Sequence, residues 1–345
     1  MSTNNRDFLA ALRLESQNIP PAWIMRQAGR YLPEYLAVRK HFPNFLDMCK
    51  TPEVCCELVL QPIEKFDLDA AIIFSDILTI PDALDLGVIF KEGQGPVFEN
   101  PVRSKSDIKN LKEFHPGELN YVYETTKLTK QALPSSKPLI GFTGSPWTLA
   151  AYSIEGKSPL KNEFLSSFLM NAEAETHDFL NILTSACFLY LKEQIVNGAD
   201  TVQIFDSWAN LLKGEAYNQF SLNYIKKLLS MLKKDPITKN TPIILFARDP
   251  SCDLNNFLIP ELDCLSLFSS ADINEAMNTF NGKMAIQGNL DPKMLLESDA
   301  ILIDAVKQLS ASFQDYPGYI FNLGHGITPD INPEKVAVML DALRS

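Results

Sequence analysis

Eight short apolar runs recur along the 345-residue chain: Ala22–Met25, Ala70–Phe74, Leu139–Phe142, Thr201–Phe205, Pro242–Phe246, Cys264–Phe268, Met284–Gln287 and Tyr319–Leu323. Several are continuous rather than alternating, the pattern of strands covered on both faces of a parallel sheet. Segments of helical character lie between them. Pro52–Phe66 has Thr51 in the N-cap position, Pro52 at the first helical position and Glu53 in the first turn. Thr176–Asn197 is long and periodic and stops at Gly198; Glu215–Lys234, Pro292–Ser312 and Pro333–Leu343 complete the set. Strand followed by helix about eight times predicts an α/β chain of the (β/α)8 TIM-barrel kind. The rival architecture, an open doubly wound sheet, usually carries a glycine-rich turn after its first strand, and this chain has none there. No low-complexity linker divides the sequence, so residues 1–345 are expected to form one barrel domain. Gly87–Gln131 is long for one barrel connection, and Gly93, Gly95 and Pro96 predict a hairpin-like excursion within it.

The charge balance narrows the partners. A formal net charge of -11 with no basic stripe argues against nucleic acid and against an anionic membrane surface. No apolar run reaches the ~18 residues that a membrane span requires. Residues Met1–Arg13 are too polar for a secretory leader. The six cysteines (Cys49, Cys55, Cys56, Cys187, Cys252, Cys264) show neither C-x-x-C nor zinc spacing, so reduced thiols, a cytoplasmic location and no metal site are expected. An anionic ligand would have to be captured by local cations against a repulsive background.

In a barrel, chemistry gathers at the C-terminal ends of the strands. The residues after the apolar runs are Arg26, Ser75-Asp76, Thr143 to Trp147 with Tyr152 just beyond, Asp206-Ser207-Trp208, Arg248-Asp249, Gly288 to Asp291, and Gly324-His325-Gly326. Such an array suits a polar, anionic ligand. Arg26 and Arg30 could grip carboxylates bidentately; the alternative is an exposed helix start with two solvated arginines. Asp76 stands between bulky apolar neighbours, where a carboxylate is paired or functional, unless it caps the next helix. His325 sits between two glycines after a strand, unlike His41, His115 and His177, although a histidine at a tight turn can also simply bond backbone. Tyr152 and Ser207 taken singly are ordinary core or cap residues; their force comes from recurring at equivalent positions. Gly156-Lys157-Ser158 echoes a phosphate loop but fails, because position 151 is Ala.

Several long words, in order over nearly the whole chain, resemble the uroporphyrinogen decarboxylase family of heme biosynthesis. They are Pro21 to Tyr35 (PAWIMRQAGRYLPEY), Ile72 to Leu78, Gly141 to Leu149, Gln203 to Ser207, Gln287 to Pro292 and Asn322 to Ile327. The resemblance implies a (β/α)8 barrel, a homodimer with facing clefts, and a small-molecule substrate, uroporphyrinogen III. It implies stepwise loss of four carboxyl groups to give coproporphyrinogen III without metal or organic cofactor. Carried over by position, Arg26, Gln27, Ala28, Gly29, Arg30, Asp76, Tyr152, Ser207 and His325 bind substrate. Asp76 is then the central catalytic residue, and Arg26 serves as, or positions, the proton donor. The sequence departs from the family after the sixth run. A Gly-Leu-Asp-Trp word is usual there, and this chain reads Leu265-Ser266-Leu267-Phe268, preceded by an atypical Asp249-Pro250-Ser251-Cys252. The nearest rival chemistry, a zinc-dependent methyltransferase, needs a His/Cys site, and no cysteine lies beyond Cys264. A carrier that has lost activity would gain nothing from Asp76 when binding a polycarboxylate.

Overall fold

The computed structural model describes residues 6–91 and 95–345. Its strands, in chain order, are β1 (Ala71–Ile72), β2 (Val88–Lys91), β3 (Gly95–Phe98), β4 (Leu139–Gly144), β5 (Thr201–Asp206), β6 (Ile243–Ala247), β7 (Cys264–Ser266), β8 (Ala285–Gln287) and β9 (Tyr319–Ile320). All but β2 and β3 join one curled parallel sheet in the order β1-β4-β5-β6-β7-β8-β9. Seven of the expected strands are therefore present. From β4 to β9 every residue of these strands is buried, which is why their sequences are continuous rather than alternating.

The first run is different. Ala22–Met25 makes one parallel bridge, Ala22 to Phe321, and no strand. Pro20 and Pro21 bring no N–H to a ladder, and side chains accept from two of the next N–H groups. Ala22 N donates to Asp69 Oδ2 at 2.8 Å and Met25 N to Asn322 Oδ1 at 3.0 Å. The segment nevertheless touches both neighbours, with Asp69 N donating to Ala22 O at 2.7 Å and Phe321 N to Pro21 O at 2.9 Å.

β2 and β3 pair antiparallel from Val88–Phe98 to Lys91–Gly95, so the long first connection carries a hairpin. Gly93 of the expected excursion lies outside the described residues. The helices match the sequence with local corrections. Pro52–Lys65 forms, but Thr51 does not cap it; its hydroxyl donates back to Asp47 O at 2.9 Å. The long helix runs Glu173–Val196, and Gly198 comes soon after at φ 115°. Glu215–Lys234 is helical throughout but carries a π turn at Asn218–Leu222. Pro292–Ser312 is not one helix: a 3-10 turn over Pro292–Leu296 is separated from Asp299–Ser312 by extended backbone at Glu297 and Ser298. The last helix is Glu334–Arg344.

The inside of the sheet is layered. Phe8 and Leu12, on the short helix Phe8–Leu12, pack with Trp23, Ala70, Ile140, Ile244, Cys264, Ala285 and Ile320 to make an apolar floor. Each such Phe or Leu contributes ~1.5–3 kcal/mol by leaving water. Two residues along each strand the same face returns, and there the layer turns polar. Trp23 Nε1 donates to Gln287 Oε1 at 2.8 Å; Gln287 Nε2 donates to Gln203 Oε1 at 3.2 Å and to Ser266 Oγ at 2.9 Å. Asn322 Oδ1, in the step after Ile320, receives Met25 N and Leu323 N. Beyond this neutral layer lie the strand ends.

Candidate functional site

The C-terminal ends of the parallel strands open on one side, and the strand-end residues meet there. Arg26 comes directly after the bridged segment in a left-handed conformation, φ 66°, an uncommon setting for a residue with a Cβ. Its side chain lies against Gly326: a Cβ on that glycine would stand 2.5 Å from Arg26 Cδ. The word around Arg26 is thus a turn, and the next helix begins only at Pro33, so the helix-start part of the alternative fails, while its solvated arginines stand: Arg26 is exposed. Arg30 is exposed, and its charge acts on Tyr35. Gln27 is wholly buried, with its amide used inside the fold on Ala70 O and Ile24 N, each at 3.4 Å, and its carbonyl on Tyr31 OH. Ala28 and Gly29 are half-buried.

Asp76 lies just past β1 in a half-buried position. One carboxylate oxygen accepts from Leu78 N at 2.8 Å, and its main-chain carbonyl takes the Thr79 hydroxyl at 3.1 Å. The capping alternative is therefore half met: one oxygen steadies the turn before Thr79–Ala83. Burial raises the Asp76 carboxyl to about 6, against the opposing pull of the Leu78 bond and the Arg26 charge.

The end of β5 is anchored by a carboxylate deep in the protein. Asp206, with no exposed surface, accepts Ser145 Oγ at 2.7 Å and Thr148 Oγ1 at 3.2 Å on Oδ1. Its Oδ2 takes Ser221 Oγ at 2.7 Å and Tyr217 OH at 3.1 Å. Thr148 Oγ1 in turn accepts Trp208 N at 3.3 Å, and Trp147 Nε1 donates to Trp208 O at 2.9 Å. This network fixes the Ser207-Trp208 turn against the helix Pro146–Glu155, which carries Tyr152. The Tyr152 and Trp208 rings meet edge to face at 5.8 Å. Burial first, and the nearby Asp76 charge, raise the Tyr152 phenol, which stays a neutral donor; Arg26 and Arg248 oppose that shift.

His325 closes the circle. Its Nδ1 is 3.4 Å from Gly326 O, a long contact, and its ring meets Phe268 edge to face at 6.1 Å. Burial, then the charges of Arg26 and Arg248, hold it below the ordinary histidine value, so the free imidazole is neutral at neutral pH. The loop carrying Phe268 is pinned by Asn289, whose Nδ2 donates to Phe268 O at 2.9 Å and Ala271 O at 3.1 Å. Gly324 lets the two loops touch, since a Cβ there would stand 2.4 Å from Ser269 N.

The Arg26 charge therefore reaches Asp76, Tyr152 and His325 alike, and Ser207 lies in the turn beside Trp208. Arg30 stands further along the first loop, and Gln27 turns its side chain into the fold. Asp206, Trp208 and Arg248 stand in the strand-end array but draw no role from sequence position alone, and Phe268, the end of an apolar run, draws no notice. The period-two step from the floor would have found two of them, because Arg248 lies four residues beyond Ile244 and Phe268 four beyond Cys264. Among the described residues no group of three or more His, Cys, Asp or Glu side chains is placed to hold a metal ion, and no helix is long and apolar enough to cross a membrane.

A parallel α/β protein whose strand ends bring the Arg26 guanidinium near a half-buried carboxylate, Asp76, is the class these features define. A sequence model of uroporphyrinogen decarboxylase (URO-D) matches residues 3–345. The uroporphyrinogen decarboxylases of Ruthia magnifica subsp. Calyptogena magnifica and of Legionella pneumophila (strain Corby) are 43% and 44% identical over 338 and 341 residues, covering 98% and 99% of this chain and 97% and 96% of theirs. The chain belongs to the uroporphyrinogen decarboxylase family. A solved methyltransferase from Methanosarcina mazei has the same fold, with a TM-score of 0.75 at 16% identity over 97% of this chain and 96% of its own.

Proposed function

We propose that the protein removes the carboxyl groups of the four acetate side chains of uroporphyrinogen III as CO2, leaving methyl groups and giving coproporphyrinogen III. The observation that carries this reading is Asp76: a half-buried carboxylate in a family member, beside a guanidinium, with one oxygen spent on the turn and the other left for a ligand.

The reaction has an electronic problem that this group suits. Breaking the bond to CO2 leaves an electron pair that an acetate carbon cannot hold. If a pyrrole ring carbon is first protonated, the ring becomes a cation with its charge shared on nitrogen, and the pair flows into it. The exocyclic methylene then takes a proton to become methyl, and the ring carbon returns its own. Each cycle consumes one proton and releases one CO2, and the substrate is its own electron sink. Asp76 stabilises the ring cation. Arg26 and Arg30 hold peripheral carboxylates. Tyr152 and Ser207 offer hydroxyls, His325 a neutral imidazole, and Gln27, Ala28 and Gly29 the backbone of the arginine turn. Arginine is a poor acid by its own pKa, so Arg26 acts as proton donor only where the site forces it, or else positions a relay through His325.

The same reading makes Ala22–Met25 the strand that closes a (β/α)8 barrel between β9 and β1, supported by its bonds on both sides. It makes residues 1–345 one domain, two copies a homodimer with facing clefts, and the cytoplasm the location.

Anaerobic incubation with uroporphyrinogen III, with products separated by carboxyl count, tests the proposal. Hepta-, hexa- and pentacarboxylates should precede a tetracarboxylate; an unaltered octacarboxylate would sink it. The pH dependence comes from the raised Asp76 value. Protonated Asp76 cannot stabilise a cation, so kcat/KM should fall as pH is lowered through about 6. A profile flat from pH 5 to 8 would contradict that role. In His325→Asn, an unchanged profile and rate would exclude an obligatory acid at 325.

A further inference from the structure

We propose that Arg248 is a third carboxylate-binding guanidinium of this site, seated between two aromatic rings; the inference rests on the function proposed above and names a further group that grips the substrate's periphery. The chain has eight arginines. Arg6, Arg13, Arg39, Arg103 and Arg344 donate to protein oxygens. Among the described residues, the side chains of Arg26, Arg30 and Arg248 alone do not. Arg248 thus sorts with the two arginines that the site already claims, although it lies more than two hundred residues away in sequence.

Its position is fixed from both ends. The backbone N–H donates to Asp206 O at 3.1 Å, continuing the ladder between β5 and β6 past its last residue. The guanidinium carbon lies 5.7 Å from the centre of a Trp208 ring and 5.6 Å from that of Phe268. Ring faces hold a guanidinium in place without neutralising it or occupying its five N–H donors. The carboxylate next in the chain does not pair with it: Asp249 turns away through φ 46° and accepts Ser270 Oγ at 3.2 Å. The departure from the family word helps here. Position 268 keeps an aromatic ring, and Leu267 stands where that word has its acid, so this loop brings no competing carboxylate.

Arg248 also faces the right space. Tyr152, Trp208, Arg248, Phe268 and His325 form one arc, each touching the next. The Arg248 charge reaches both ends of that arc, at Tyr152 and at His325. A planar fork with its edge free and aromatic walls beside it suits a carboxylate carried on a short arm from a heteroaromatic ring. Because that carboxylate is peripheral and not the one being lost, the contact is made equally in ground and transition states, and it governs KM rather than kcat.

The test compares wild type, Arg248→Gln, Arg248→Lys and Phe268→Leu in steady-state turnover of uroporphyrinogen III. Arg248→Gln should raise KM about 10–100-fold, the loss of a bidentate charge-assisted contact, with kcat within about 3-fold and more hepta- to pentacarboxylate released. Arg248→Lys should recover part of the KM, and Phe268→Leu, which loosens the seat while leaving the charge, should raise KM by about 3–10-fold. An unchanged KM in Arg248→Gln, with wild type active, overturns the proposal. Direct titration with the oxidised octacarboxylate uroporphyrin, monitored by fluorescence, separates the two readings. If wild type does not turn over, the proposed function fails, while weaker uroporphyrin binding by Arg248→Gln still supports the guanidinium site and equal binding refutes it. Should Arg248→Gln fail to fold, Phe268→Leu and Arg248→Lys decide by the same titration, equal binding in both refuting the site.

Discussion

Asp76→Asn is expected to reduce kcat by about 10²–10³ or more, the range seen when a group aimed at transition-state charge is removed, while the protein becomes no less stable. Both halves come from the same geometry. The amide can keep the acceptor that receives Leu78 N, so the turn into Thr79–Ala83 survives. What disappears is the negative charge that a ring cation would feel. That charge is also a burden on folding. The carboxyl is raised to about 6 by burial, so between its unfolded value and about 6 the folded chain holds a proton that the unfolded chain has released. The group's contribution to stability is fully present below the unfolded value and is lost as pH rises from there through about 6. Asparagine is spared this effect. The melting temperature of Asp76→Asn should therefore match wild type near pH 4, exceed it increasingly as pH rises to about 6, and keep that lead to pH 8. Single-turnover rates and melting curves at several pH values check the pair of expectations. Near-normal turnover would remove Asp76 from the chemistry, and a variant less stable than wild type at pH 8 would refute the account of its burial.

Asp206→Ala should lower the unfolding free energy by about 3–5 kcal/mol, the scale on which breaking a buried charged network destabilises a protein. Four hydroxyls converge on this carboxylate from two separate segments, Ser145–Thr148 and Tyr217–Ser221. Removing it leaves a cavity and strips all four of their shared acceptor. Burial raises the Asp206 carboxyl, but the four donors resist that shift by favouring the charged form. Chemical denaturation measures the loss, and a change below about 1 kcal/mol would show that the hydroxyls find equivalent partners. Where the variant still folds, Thr148 loses the acceptor that orients its hydroxyl beneath Trp208 N, so weakened substrate binding should accompany the lost stability.

What the sequence made legible is what local pattern controls. Doubly covered strands read as unbroken apolar runs, and β4 to β9 appear where such runs lie. Ala22–Met25 reads the same way yet stays a bridge, because the groups that take its N–H donors, Asp69 and Asn322, come from 47 and 297 residues away. The break at Glu297–Ser298 escapes a reading based on apolar period. At the site, Arg26, Asp76, Tyr152 and His325 could be placed because each comes after a strand or sits on the helix after one. The roles of Asp206 and Phe268 could not be read, since their importance lies in what reaches them across the fold. Gln27 shows the opposite limit: it sits inside a highly diagnostic word, and its side chain serves the packing beneath the mouth.

The floor has a consequence for traffic. With Phe8, Leu12 and Trp23 filling one end of the sheet, and the amide layer above them, the strand-end mouth serves as door for arriving tetrapyrrole, departing tetrapyrrole and CO2 alike. In the mechanism proposed, a single Asp76 cannot address four acetates at once. The macrocycle must either be turned like a dial above it or leave by that door and return in a new orientation. How often a half-finished intermediate is caught outside is then a direct gauge of which choice it makes.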